Sequence, residues 1–104
     1  MLIQFNTDKN VSGNMELEAS LTSIIEAQLN RFSDQITRIE VHLSDEDGKK
    51  RGVNDLRCLL EARLEGMHPV AVTNDADTKV QAVRGATEKL KRALTTILGR
   101  LRNY

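Results

Sequence analysis

The sequence predicts an α+β fold in the order β-α-β-β-β-α, a four-stranded sheet with two helices packed on one face. Two patterns and one asymmetry carry that reading. Four short segments alternate apolar and polar residues, as half-buried strands do. Two longer segments repeat their apolar residues at the helical period. Each strand offers a single apolar face, so helices cover one side of the sheet and solvent the other.

The first strand runs from Leu2 to Asn6, where Ile3 and Phe5 alternate with Gln4 and Asn6. Residues 10–14 hold Ser12, Gly13 and Asn14, which are turn and cap residues. Beyond them Leu17, Leu21, Ile24, Ile25 and Phe32 recur at helical spacing, with Glu16 and Glu18 early, where a helix N-terminus favours negative charge. Ser33 and Asp34 break the pattern. Ile39, Val41 and Leu43 then alternate with Arg38, Glu40 and His42 as a second strand, and Ser44 to Asp55 reads as a long polar hairpin loop. In the third strand Cys58, Leu60, Ala62 and Leu64 form one face. Glu65 to His68, with Gly66, makes a turn. Pro69 can open an edge strand that Val70 and Val72 continue. Asn74 to Asp77 is expected to cap the last helix. Its apolar stripe is Ala76, Val80, Val83, Ala86, Leu90, Ala93, Leu94, Ile97 and Leu101. Gly85 interrupts that helix, and close packing on a neighbour is a reason for it.

The 104 residues suffice for one domain, 1–104, with one modest core. Aromatics are only 3%, so the core must be built from Leu, Ile and Val. No apolar run reaches the roughly 18 residues of a membrane span, and the first ten residues lack a signal peptide's basic and apolar regions. A membrane partner is not expected. The lone Cys58 fits a reducing cytoplasm, the expected location.

Net charge is zero, but its distribution is uneven. From Lys79 to Tyr104 there are seven basic residues and one acid, Glu88; the preceding residues hold eight basic and fourteen acidic. This asymmetry suggests a polyanion-facing element on an acidic body. At about 100° per residue, Arg84, Lys91 and Arg102 fall along one flank of the last helix's apolar stripe. Lys89 and Arg100 fall along the other flank, with Arg92 on the outer face. Such cations neutralise phosphates and release counterions. They equally suit a merely solvated helix that complements its own C-terminal dipole. Lys49, Lys50 and Arg51 lie between acids in the hairpin loop, and either reach RNA or form a solvated tip. Phe5 and Phe32 fit the core, so base stacking on aromatic rings is poorly served.

No enzyme and no cofactor are expected. Alternation points His42 outward and Cys58 inward, which misplaces them as a base and nucleophile. Zinc needs about four convergent ligands, more than one Cys and two scattered His supply. Asp45, Glu46 and Asp47 lack the regular spacing and closing Glu of a calcium loop. On the polar sheet face Arg38, Glu40, Arg57, Glu61 and Arg63 are placed for cross-strand ion pairs, each worth little at a surface. Leu59 among them is either an ordinary surface residue or the contact of a weak homodimer.

Residues 31–41, Arg-Phe-Ser-Asp-Gln-Ile-Thr-Arg-Ile-Glu-Val, and residues 86–94, Ala-Thr-Glu-Lys-Leu-Lys-Arg-Ala-Leu, complete the pattern. With the element order they resemble the short ribosome hibernation-promoting factors, also called protein Y or ribosome-associated inhibitor A. The resemblance spans nearly the whole chain. It implies binding to the small ribosomal subunit and its ribosomal RNA, and inhibition of translation in idle ribosomes. DNA is not expected as a partner. By matching position Lys89 and Arg92 carry RNA contact first; Arg100 and Arg102 also match basic positions, and Lys91 less closely. The chain stops after the second helix, so the domain by which long members pair ribosomes is not expected. In the family the first helix contributes cations, whereas here it carries Glu16, Glu18 and Glu26. That difference supports a second reading: a protein-interaction or self-associating domain of the same fold without tight RNA binding.

Overall fold

The computed structural model describes residues 1–7, 15–45 and 56–102, the last three by their backbone alone. The elements are β1 (Leu2–Thr7), α1 (Met15–Leu29), a 3-10 turn (Asn30–Phe32), β2 (Ile36–Asp45), β3 (Leu56–Leu64), β4 (Val70–Ala76) and α2 (Lys79–Arg102). The expected turn at residues 10–14 and the cations Lys49, Lys50 and Arg51 lie outside the described residues.

The sheet order is β1-β2-β3-β4. A helical crossover through α1 brings β2 alongside β1, and the pair is parallel, Ile3 against Ile39 and Phe5 against Val41. The β2–β3 and β3–β4 pairs are antiparallel. One irregularity lies between Ile36 and Arg38 of β2, opposite Leu64 and Arg63. It inserts an extra residue, Thr37, whose hydroxyl donates to the Arg63 carbonyl at 3.0 Å. A bulge resets the side-chain alternation, so Ile36 joins Ile39, Val41 and Leu43 on the buried face despite its even number.

The core is one layer between sheet and helices. Leu21, Ile25 and Leu29 of α1, and Ala82, Val83, Ala86, Leu90 and Leu94 of α2, meet Val41, Cys58, Leu60 and Ala62 from the two central strands. Nearly all of it is aliphatic, as composition requires. Ile3, Phe5, Val70 and Val72 on the edge strands are half-buried and close its sides. α2 packs on β3, β4 and α1. Gly66 turns β3 into β4 with φ +72°, a conformation that costs glycine least.

Four expectations are corrected. Ser44 and Asp45 are not loop but the end of β2, paired with Arg57 and Leu56. Asn74, Asp75 and Ala76 are not a cap region but the end of β4, paired with Cys58, Arg57 and Leu56. The residue that caps α2 is Thr78, whose Oγ1 accepts the Gln81 amide at 3.1 Å. Phe32 lies beyond α1, in the 3-10 turn, and is still buried. Leu59 is half-buried rather than fully exposed.

Candidate nucleic-acid interface

Among the described cations of α2, Lys89 has surroundings unlike those of Arg84, Lys91 and Arg92. Lys89 faces β4. Its ammonium donates to the Thr73 carbonyl at 2.8 Å, so this cation occupies a backbone acceptor of the edge strand. Beside it Arg57 grips Asp75 with two bonds, Nε to Oδ1 at 2.8 Å and a terminal nitrogen to Oδ2 at 3.2 Å. The Arg57 hydrogen bond, aided by the charges of Arg57 and Lys89, holds the Asp75 carboxyl below its ordinary range. Lys89 is therefore part of an ion-paired patch at the sheet edge.

Arg84, Lys91 and Arg92 have other company. Among the described residues they make no ion pair and no side-chain hydrogen bond, and Arg84 and Arg92 are exposed while Lys91 is half-buried. Arg92 does not sit on a featureless outer face. With Lys91 it lines a cleft of about 480 Å³ between α1 and α2, whose other walls are Gln28, Glu88, Thr95 and Thr96. The side chains of Arg100 and Arg102 lie outside the described residues.

A residue that sequence reasoning left out also belongs here. Arg31, in the 3-10 turn, donates to Thr95 Oγ1 at 2.6 Å. Its guanidinium lies over Phe32, 4.6 Å from the ring centre. The Thr95 hydroxyl spends its own proton on the Lys91 carbonyl at 2.7 Å, which leaves its lone pairs to the arginine. Arg31, Phe32, Thr95, Leu98 and Gly99 line a second cleft of about 270 Å³. The signal that could have found Arg31 is the Ser33-Asp34 break: a tight turn after α1 moves the next side chains off the α1 stripe and toward α2.

The polar sheet face is ion-paired throughout its centre. Glu40 accepts from Arg63 at 3.2 Å and from Arg38 at 3.4 Å, and Arg63 also reaches Glu61 at 3.0 Å. The Arg63 hydrogen bond is the main cause that lowers the Glu40 pKa. These charges are already compensated and offer little to a phosphate. His42 is exposed on this face, across from Leu59. Cys58 is fully buried on the opposite face, where burial pushes its thiol up to about 12. No three of His, Cys, Asp and Glu converge as metal ligands among the described residues. No helix among them is long and apolar enough to cross a membrane.

Comparison with known proteins gives the following. Residues 10–102 match the sequence profile of the family described as sigma 54 modulation protein / S30EA ribosomal protein. Comparison with curated protein sequences finds no match. The structure is similar to the protein Y N-terminal domain of Thermus thermophilus, with a TM-score of 0.73 and 19% identity over 93% of this chain and 99% of that one. It is also similar to a ribosomal subunit interface protein from Coxiella burnetii, with a TM-score of 0.64 and 21% identity over 95% of this chain and 99% of the other. At these identities the structural likeness speaks to the fold alone.

Proposed function

The chain belongs to the sigma 54 modulation protein / S30EA ribosomal protein family, and we propose that it is a cytoplasmic, non-enzymatic factor that binds the small ribosomal subunit. On this reading it contacts ribosomal RNA, inhibits translation and promotes ribosome hibernation under stress. One observation carries the RNA contact. Arg84, Lys91 and Arg92 stand on a rigid helix with no ion pair among the described residues, while the cations of the sheet face are already paired. Uncompensated cations on a fixed surface are what phosphate neutralisation requires. Arg100 and Arg102 continue the same helix. Lys89, tied to Thr73, contributes charge from the other flank. The two proteins of like structure are named for protein Y and for the ribosomal subunit interface, which agrees with this reading.

The test is co-sedimentation with isolated small ribosomal subunits across a salt series. Contact with about four phosphates predicts that affinity falls about a hundredfold between roughly 50 and 200 mM salt. A variant with Arg84, Lys91 and Arg92 changed to Glu is expected to stay in the supernatant at every salt. If the wild type binds and this variant binds as well, α2 is not the RNA-facing element. If salt leaves binding unchanged, an apolar protein interface takes the place of RNA.

A further inference from the structure

The two clefts between the helices share Thr95, and together they form one trough that runs along the C-terminal half of α2. Its walls differ chemically from end to end. Lys91 and Arg92 stand at one end. At the other, Arg31 presents a flat guanidinium held from below by Phe32 and from the side by Thr95. The phenyl ring lies against that plane on one side, and Arg31 is exposed where it lines the second cleft.

We infer that this trough seats a single unstacked nucleotide, with its base on the Arg31 guanidinium and its phosphate between Lys91 and Arg92. Three physical points support the choice of ligand. Unstacked bases pack on arginine planes as they do on aromatic rings, and an arginine already fixed by two contacts loses little freedom when a base lands on it. Among the described residues no aromatic side chain does this work, since Phe32 is buried beneath Arg31 and Phe5 packs against the core from β1. Two of the neutral walls, Gln28 and Thr96, carry groups that can donate to phosphate and sugar oxygens. Glu88 closes one side of the cationic end and sets the direction from which a phosphate enters.

The nucleotide has two sources, a strand of ribosomal RNA or a free nucleotide. As a statement about ribosomal RNA the inference rests on the function proposed above; as a statement about the trough it rests on geometry. Gly99 gives a way to separate seat from fold. It lines the trough, and a Cβ built on it meets nothing within 4 Å. Gly99→Leu therefore fills the trough with side chain while raising helix propensity.

The experiment follows backbone amide and arginine side-chain NMR signals of the whole chain as it is titrated with adenosine monophosphate, a short single-stranded oligoadenylate, or inorganic phosphate. The expected result is movement of the Arg31 side-chain signal and of the Thr95 and Gly99 amides with the oligoadenylate, and weaker movement with phosphate alone. Arg31→Lys keeps the charge and loses the plane, and is expected to weaken nucleotide binding about tenfold, the size of one stacking contact. Gly99→Leu is expected to abolish binding with the thermal midpoint unchanged or raised. Binding by the oligonucleotide alone assigns the seat to an RNA strand; equal binding by the monophosphate assigns it to a free nucleotide. The inference is overturned if phosphate binds as well as the nucleotides, if none of the three moves these signals, or if Gly99→Leu binds like the wild type. Co-sedimentation of Gly99→Leu with small subunits keeps the two proposals apart. Undiminished binding there removes the trough from the ribosomal contact and leaves the proposed function standing.

Discussion

Glu40 is a carboxylate that serves two arginines, Arg38 on its own strand and Arg63 on the next. Its proton affinity is lowered chiefly by the Arg63 hydrogen bond. A carboxyl whose folded pKa is depressed contributes stability above its unfolded value, and that contribution is lost as pH falls through the folded one. Glu40→Gln is therefore expected to lower the denaturant midpoint at pH 7, and to match the wild type once the pH is low enough to protonate the carboxyl in the folded state as well. An equal deficit at both pH values would mean that shape, not charge, sets the contribution of this residue. Pairing of this kind was legible in the sequence, because alternation puts Arg38, Glu40, Glu61 and Arg63 on one face. Cys58 was legible for the same reason, pointing inward as a small apolar group. With its thiol pushed up to about 12, a thiol-alkylating reagent at pH 8 is expected to label the protein only in denaturant. Rapid labelling of the native chain would show that the central strands open far more readily than a fully buried core implies.

The helical period made α2 plain, but where it begins was not, because Asn74 and Asp75 are poor strand formers by composition. Pairing with β3 overrides that preference: backbone bonds and the Arg57–Asp75 clamp hold the end of β4 extended. The same pairing turns Asn74 toward α2, where its amide donates to the carbonyls of Gln81 and Ala82 at 3.4 and 3.3 Å. A Cβ at Gly85 would fall inside that amide. The sequence shows a glycine that breaks a good helix, and close packing was the reason to expect; the partner is set by register and so could not be read. Gly85→Ala is expected to destabilise the protein, even though alanine favours an exposed helix by about 1 kcal/mol. Asn74→Ala alone costs its two weak bonds. In the double variant the clash is gone and the helix gain remains, so it should be more stable than Gly85→Ala alone. Additive losses in this cycle would mean that Gly85 answers to something other than Asn74. Along α2, Lys89 and Arg92 part company. Lys89→Ala is expected to lower the thermal midpoint and to change the salt dependence of ribosome binding less than Arg92→Ala does. Arg92→Ala, with no ion pair among the described residues to lose, should leave the midpoint nearly unchanged.

Over the whole molecule, charge is sorted by layer. The sheet face is internally paired, α1 carries Glu16, Glu18 and Glu26, and α2 carries Arg84, Lys91 and Arg92, which make no ion pair among the described residues. The order and the one-sided sheet were legible because each strand has one apolar face. The trough was not, because it forms where the flank of one helix meets the flank of another, and helix angles say nothing of what lies across the gap. The acids of α1 help explain how a chain of zero net charge can still present a cationic surface: of the two helices, α1 carries only acids and α2 mostly cations. They also bear on association. α1 packs beside α2, so a phosphate strand that reaches α2 also feels the field of α1. That field extends about 30 Å at 0.01 M salt and about 8 Å at 0.15 M. Neutralising the two exposed acids, as Glu16→Gln with Glu26→Gln, is expected to tighten subunit binding at low salt and to have no effect near physiological salt. The slope of log affinity against log salt then changes only modestly, since no phosphate contact is made or lost. Arg92→Ala removes one contact and should flatten that slope by roughly 0.7 to 0.9. If the α1 variant instead tightens binding equally at all salts, the acids touch the partner directly, and α1 as well as α2 forms the docking surface.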